Sequence, residues 1–179
     1  LKNNALIHCL REIIGNERWP VMRKGRELIG LPVIDWKTGK ETGSVEDLIV
    51  DLSQDKVTAL SVRSDGWLTN RRLIPLKQIQ QINKQAVIVN EENTDAQLAV
   101  DPGSELGVKS LKGISVFGCE GRDLGTVEDL VLSLPDGRIT GWEISDGLVQ
   151  DLVDGRRVLP VEAVVARSTE RFVAQEGGW

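Results

Sequence analysis

Apolar residues alternate with others at Leu48, Val50 and Leu52, and again at Leu130, Leu132 and Leu134. A period of two is that of a strand with one buried face. Both stretches break phase just upstream, where Val45 stands three residues before Leu48 and Val127 three before Leu130. One extra residue in the strand restores the facing, so a β-bulge is predicted near Glu46-Asp47 and near Glu128-Asp129. A bulge bends a strand, which a small curled sheet needs. The apolar run Leu31–Trp36 predicts a preceding strand, with a hairpin turn at Lys37-Thr38-Gly39-Lys40; Glu120-Gly121-Arg122-Asp123 supplies the matching turn later. Val57–Val62 and Arg138–Ile144 predict a third strand, after turns at Asp55-Lys56 and Pro135-Asp136-Gly137. Arg71–Ile74 and Arg156–Leu159 predict a fourth, stopped by Pro75 and Pro160, since proline cannot donate to the ladder. A helical turn is expected at Leu76–Gln81 and at Val161–Val165, and a last strand at Ala86–Val89 and at Arg171–Ala174. Residues 5–14 place Leu6, Leu10, Ile13 and Ile14 on one face, which predicts a short N-terminal helix.

These pairs of elements are one unit written twice. Gly43-Ser44-Val45-Glu46-Asp47-Leu48-Ile49-Val50 returns 82 positions later as Gly125-Thr126-Val127-Glu128-Asp129-Leu130-Val131-Leu132. Gly30 and Val33 match Gly113 and Val116, and Arg71-Arg72-Leu73-Ile74-Pro75 matches Arg156-Arg157-Val158-Leu159-Pro160. The offset has grown to 85 by then, so the second copy has a longer loop near Ser145–Asp154, carrying Asp146, Asp151 and Asp154. Solenoids need at least three units, so each copy is expected to bury most of its own core. The expected organisation is an N-terminal extension over 1–22, a first repeat over 23–92, a polar linker over 93–107 and a second repeat over 108–179. Residues 1–21 read either as an appended helix or as sequence upstream of a natural start at Met22, the single methionine.

Composition narrows the chemistry. The chain has 179 residues, two Phe and no Tyr, so the core must be Val, Ile and Leu with a few Trp. Net charge is -5, which makes nucleic acid a poor partner. The acidity is uneven: residues 96–179 hold eight basic against fourteen acidic side chains, enough to steer a basic partner or simply to keep the surface solvated. Cys9 and Cys119 share no ligand spacing with the single histidine, His8, so neither a disulfide framework nor a metal site is expected. No stretch reaches the roughly 18 apolar residues of a membrane span, and the N-terminus lacks a signal-peptide layout, so a cytoplasmic location is expected.

The repeated unit resembles the PRC-barrel family. The resemblance is carried by Gly30 and Val33, the turn glycine, the Gly-x-Val-Glu-Asp-Leu strand and the apolar-Pro pairs Ile74-Pro75 and Leu159-Pro160. It implies an all-β chain: two tandem small barrels of about six strands each, with the short N-terminal helix in front. Family members occur in the cytoplasmic part of the H subunit of photosynthetic reaction centres and in the ribosome maturation factor RimM, where the barrel binds protein. These 179 residues show neither a stretch that reads as the H subunit's transmembrane helix nor one that reads as RimM's other N-terminal domain, so neither role is expected to transfer intact. The family brings no universal catalytic residues and no cofactor.

Among individual residues, the pairs Glu46-Asp47 and Glu128-Asp129 stand out. They read as exposed carboxylates on a bulge, paired to an arginine, rather than as an acid–base pair, because no nucleophile or histidine lies nearby in the repeat. Gly43, Val45, Glu46, Asp47 and Leu48, with Gly125, Val127, Glu128, Asp129 and Leu130, are therefore taken as a structural motif. Arg71, Arg72, Arg156 and Arg157 either grip a partner's carboxylate or phosphate or answer the acidic bulge within the barrel. Trp67, in a turn-rich loop, is an interface anchor or a packing residue; Trp36 and Trp142 read as core or rim. Candidate partner-binding residues are thus Trp67, Asp146, Asp151, Asp154 and the four arginines. The expected function is that of a non-enzymatic adaptor or assembly module with a protein partner and possible self-association. The alternatives are a peripheral component of a membrane redox or photosynthetic complex, H-subunit-like, and a RimM-like ribosome or RNA-processing factor.

Overall fold

The computed structural model describes residues 21–64, 71–90, 106–147 and 156–177. The predicted helix over 5–14 lies outside them. The first half contains β1 (Val21–Lys24), β2 (Pro32–Asp35), β3 (Glu41–Asp51), β4 (Lys56–Arg63), β5 (Arg71–Pro75), β6 (Ile79–Ile82) and β7 (Val87–Val89). The second repeats it as β8 (Leu106–Gly107), β9 (Ser115–Gly118), β10 (Asp123–Leu134), β11 (Arg138–Ser145), β12 (Arg157–Pro160), β13 (Val164–Arg167) and β14 (Arg171–Ala174). Short 3-10 turns at Leu76–Gln78 and Val161–Ala163 replace the longer helical turns expected there, because the chain is extended again at Ile79 and Val164.

Strand order is β6-β7-β2-β3-β4-β5 in the first half and β13-β14-β9-β10-β11-β12 in the second. The β2–β7 and β9–β14 pairs are parallel and their neighbours antiparallel. Each half is a curled sheet, a half-barrel whose two outer strands are joined by the 3-10 turn; no ladder closes the ring among the described residues.

The bulges fall where the phase break puts them. Register shifts occur between Val45 and Asp47 and between Val127 and Asp129, which leaves Glu46 and Glu128 as the unpaired residues. The repeat glycines open the same strands for a steric reason. Gly43 and Gly125 have φ of 148° and 111°, and a Cβ on either would collide with the backbone carbonyl of Arg63 or Ser145.

The expectation of two self-contained cores is corrected. All fourteen strands belong to one sheet, and one hydrophobic cluster runs from Leu28 to Ala174 through both halves. The cause is a reciprocal exchange of N-terminal strands. β1, from the first half, pairs antiparallel with β10 of the second, with Lys24 opposite Val131. β8, from the second half, pairs with β3 of the first, with Gly107 opposite Ile49. Leu106 and Gly107 are thus strand, not linker. Between the exchanges, β4 meets β11 at Lys56 and Arg138. There the Val57 amide donates to the Gly137 carbonyl at 2.8 Å and the Ile139 amide to the Asp55 carbonyl at 2.7 Å, a reciprocal pair that marks a local two-fold axis.

Candidate functional site

The acidic motif sits at this exchange. After the bulge, Asp47 and Asp129 turn inward, and both are buried. Each first accepts the amide of the following residue, Leu48 at 2.9 Å and Leu130 at 2.8 Å. Each then accepts an amide from the segment supplied by the other half: Lys109 to Asp47 at 3.3 Å and Arg26 to Asp129 at 3.1 Å. Lys109 lies in a single helical turn, α1 (Val108–Leu111), and Arg26 in the corresponding 3-10 turn Gly25–Glu27. A glycine lies against each carboxylate: a Cβ on Gly107 would strike Asp47, and one on Gly25 would strike Asp129. The reading of these acids as exposed is therefore corrected for the two aspartates. A strand that ends against a neighbouring turn has free amides to satisfy, and a buried carboxylate satisfies two at once.

In the second half the latch is elaborated by Glu143, on β11 and only 2% exposed. It accepts Lys24 Nζ at 2.8 Å and both terminal nitrogens of Arg26, and Arg156 lies at 3.8 Å. Burial opposes a charge on Glu143, but the hydrogen bonds and charges of Arg26 and Lys24 outweigh it and hold the carboxyl below its ordinary value. Asp129 goes the other way: burial raises it, and the amides of Arg26 and Leu130 offset that only in part. The Arg26 guanidinium is raised chiefly by its hydrogen bond to Glu143. Two carboxyl groups driven apart in this way are what acid–base catalysis uses. Here each also accepts from the segment lent by the first half, Asp129 from Arg26 and Glu143 from Lys24 and Arg26, so these contacts tie the two halves together.

The arginine pairs are placed differently in the two copies. Arg156 reaches Glu128, at 3.8 Å, as well as Glu143, and Lys112 reaches Glu128 at 2.9 Å. Arg157 donates to Asp146 at 2.9 Å and to the Leu124 carbonyl at 3.5 Å. In the first copy, Arg71 donates to the Ser61 hydroxyl at 2.7 Å and Arg72 to the Thr42 hydroxyl at 2.5 Å. Trp67, Asp151 and Asp154 lie outside the described residues. Trp142 is wholly buried, edge-on to Phe172 at 5.0 Å, while Trp36 is half-buried beneath Lys37. Lys24, Arg26, Lys109 and Glu143 were not singled out from the sequence. The one signal for Glu143 is a charged residue in the apolar strand Ile139–Ile144, at the place where the first copy has Ser61. Among the described residues no group of three or more His, Cys, Asp or Glu side chains is placed to hold a metal ion, and no helix is long and apolar enough to cross a membrane.

Two curled six-stranded half-barrels of one sheet, built on one repeated blueprint and locked by exchanged strands, define a tandem small-barrel protein. The chain belongs to the PRC-barrel domain family, whose pattern it matches twice, over residues 20–94 and 103–176. The first match begins just before β1 and the second just before β8, so each family unit includes the strand it lends to the other half. The chain is also 26% identical over 136 residues to the uncharacterized protein YrrD of Bacillus subtilis (strain 168), an alignment covering 76% of this chain and 77% of that one.

Proposed function

We propose that this chain is a non-catalytic adaptor or assembly module of the cytoplasm that docks a protein partner, without direct contact to nucleic acid. The observation that carries this reading is the outer edge of the second half. Val158 on β12 is 42% exposed and Val165 on β13 is 65% exposed, on the two strands that flank the Val161–Ala163 turn. Among the described residues β12 pairs only with β11 and β13 only with β14, so both are outer strands of the sheet there. An outer strand bearing β-branched apolar side chains is suited to pairing with another chain. The first half has half-buried Leu73 and the polar Gln80 at the matching places, which presents less apolar surface. The common use of PRC-barrels as protein-interaction modules supports the same reading. H-subunit-like and RimM-like roles rest on family membership alone.

The test is affinity capture from the native host with the full chain and with a Val158→Asp/Val165→Asp double variant. A partner that is captured by the first and lost by the second is the expected outcome. Capture that is unchanged by the double variant removes this edge from the reading.

A further inference from the structure

A second surface lies where the halves meet at the local two-fold axis. A groove of about 430 Å³ opens there, within the size range of ligand sites and at the kind of junction that favours them. Its open apolar surface is Pro135, exposed in the turn before β11, and the edge of Leu76, 9% exposed, with Pro75 and Val57 buried beneath. Lys56 and Lys77 stand at its sides, both exposed. Asp136 also lines it and is turned toward Arg138, at 3.6 Å.

Repeat symmetry separates the two lysines: a basic residue recurs at the place of Lys56, whereas the charge at the place of Lys77 is reversed. Lys56 corresponds to Arg138, which faces Asp136, and Lys77 corresponds to Glu162. One copy thus carries two like charges where the other carries opposite ones, although the same backbone is built in both. Neither Lys56 nor Lys77 makes an ion pair or a side-chain hydrogen bond among the described residues, while the nearby cation Arg167 is committed to Asp55 at 2.6 Å and to the Leu52 carbonyl at 2.9 Å. Two uncommitted ammonium groups beside an apolar floor are complementary to a chain segment with an apolar side chain between carboxylates. A bare inorganic anion would leave the apolar floor unused.

We infer that this groove receives an acidic peptide segment of a partner protein, with an apolar residue over Pro135 and the edge of Leu76 and flanking Glu or Asp side chains on Lys56 and Lys77. The inference rests on the protein-binding reading and adds the chemistry of a second contact, apart from the β12–β13 edge.

The test uses the full chain and fluorescent peptides in which one leucine is flanked by two glutamates, spaced two or four residues apart. Lysine-for-glutamate and alanine-for-leucine versions serve as controls. At least one glutamate peptide is expected to bind, and to weaken by about tenfold in a Lys56→Glu/Lys77→Glu variant of unchanged circular dichroism. It is expected to weaken with added salt as well, and to bind the Val158→Asp/Val165→Asp variant normally. The proposal is overturned by no binding, by equal binding of the lysine peptides, or by binding that the lysine reversals leave untouched. The host-capture experiment reads the other edge, so the adaptor reading can fail there while the groove stands, and the groove can fail while a partner is still captured.

Discussion

Matching positions in the two halves answer the same structural demand with different chemistry. Both halves hold a borrowed N-terminal segment through the aspartate that follows a bulge, Asp47 in one and Asp129 in the other. The first half adds little: Ser61 faces Arg71, and the borrowed strand ends at Gly107, with Lys109 in the helical turn that follows. The second half adds Glu143 and three cations around it. Its core is also heavier, with Trp142 and Phe172 where the first half has Leu60 and Val87. The shared aspartates show what the exchange requires of any copy. The differing residues show what each copy was free to change.

The largest effect is expected in the heavier core. Trp142→Ala should cost about 3–5 kcal/mol, since it removes a wholly buried indole and its edge contact with Phe172. Leu60→Ala, at the matching place, should cost about 2–5 kcal/mol and fall below Trp142→Ala. Urea midpoints of the two variants measure the difference. Equal losses would remove the claim that the second half has the more heavily packed core.

Glu143→Ala should cost about 2–3 kcal/mol, below the range for a fully buried pair because Lys24 and Arg26 are partly exposed and regain water. Ser61→Ala should cost about 1 kcal/mol, the worth of one hydrogen bond. Asp47→Ala and Asp129→Ala should each cost about 1–3 kcal/mol, because each strands buried amides. Hydrogen exchange sharpens this pair: Asp129→Ala should free the amides of residues 22–26 and leave 106–109 protected, and Asp47→Ala should do the reverse. Loss of protection on both sides from either change would mean the two latches open together.

The smallest effect concerns acid. The folded state holds Glu143 below its ordinary value, so Glu143 stabilises the fold at pH above about 4. That contribution is lost as pH falls through the lowered folded-state value. Asp129 has the opposite sign: its raised carboxyl is easier to keep protonated in the fold, so its ionised form costs stability above the folded-state value and the cost lapses on acidification. The stability gap between wild type and Glu143→Gln should therefore narrow in acid, whereas the gap for Asp129→Asn should not follow it. Denaturant midpoints between pH 3 and pH 7, a range of about four units around the ordinary carboxylate values, check both signs.

The strands, the bulges and the duplication were legible because each leaves a local trace: a period of two, a broken phase, a motif that recurs. The aspartates could be picked out but not understood, since a carboxylate on a bulge looks exposed until the segment that covers it arrives from the other half. Glu143 passed unnoticed for the same reason. A charged residue inside a strand is informative only when its cations are known, and Lys24 and Arg26 lie more than a hundred residues earlier.

By itself the chain order of apolar and polar residues determined a β protein made of two copies, because side-chain alternation and turn residues act over a few positions at a time. Which copy each N-terminal strand would join was decided only in three dimensions. β1 and β8 are too short to carry a signal of their own, and their partners were selected by buried amides, a shared apolar interior and the two-fold meeting of β4 with β11. The groove beside Lys56 and Lys77 belongs to that second kind of fact, since its walls come from distant parts of the chain and exist only once the halves have met.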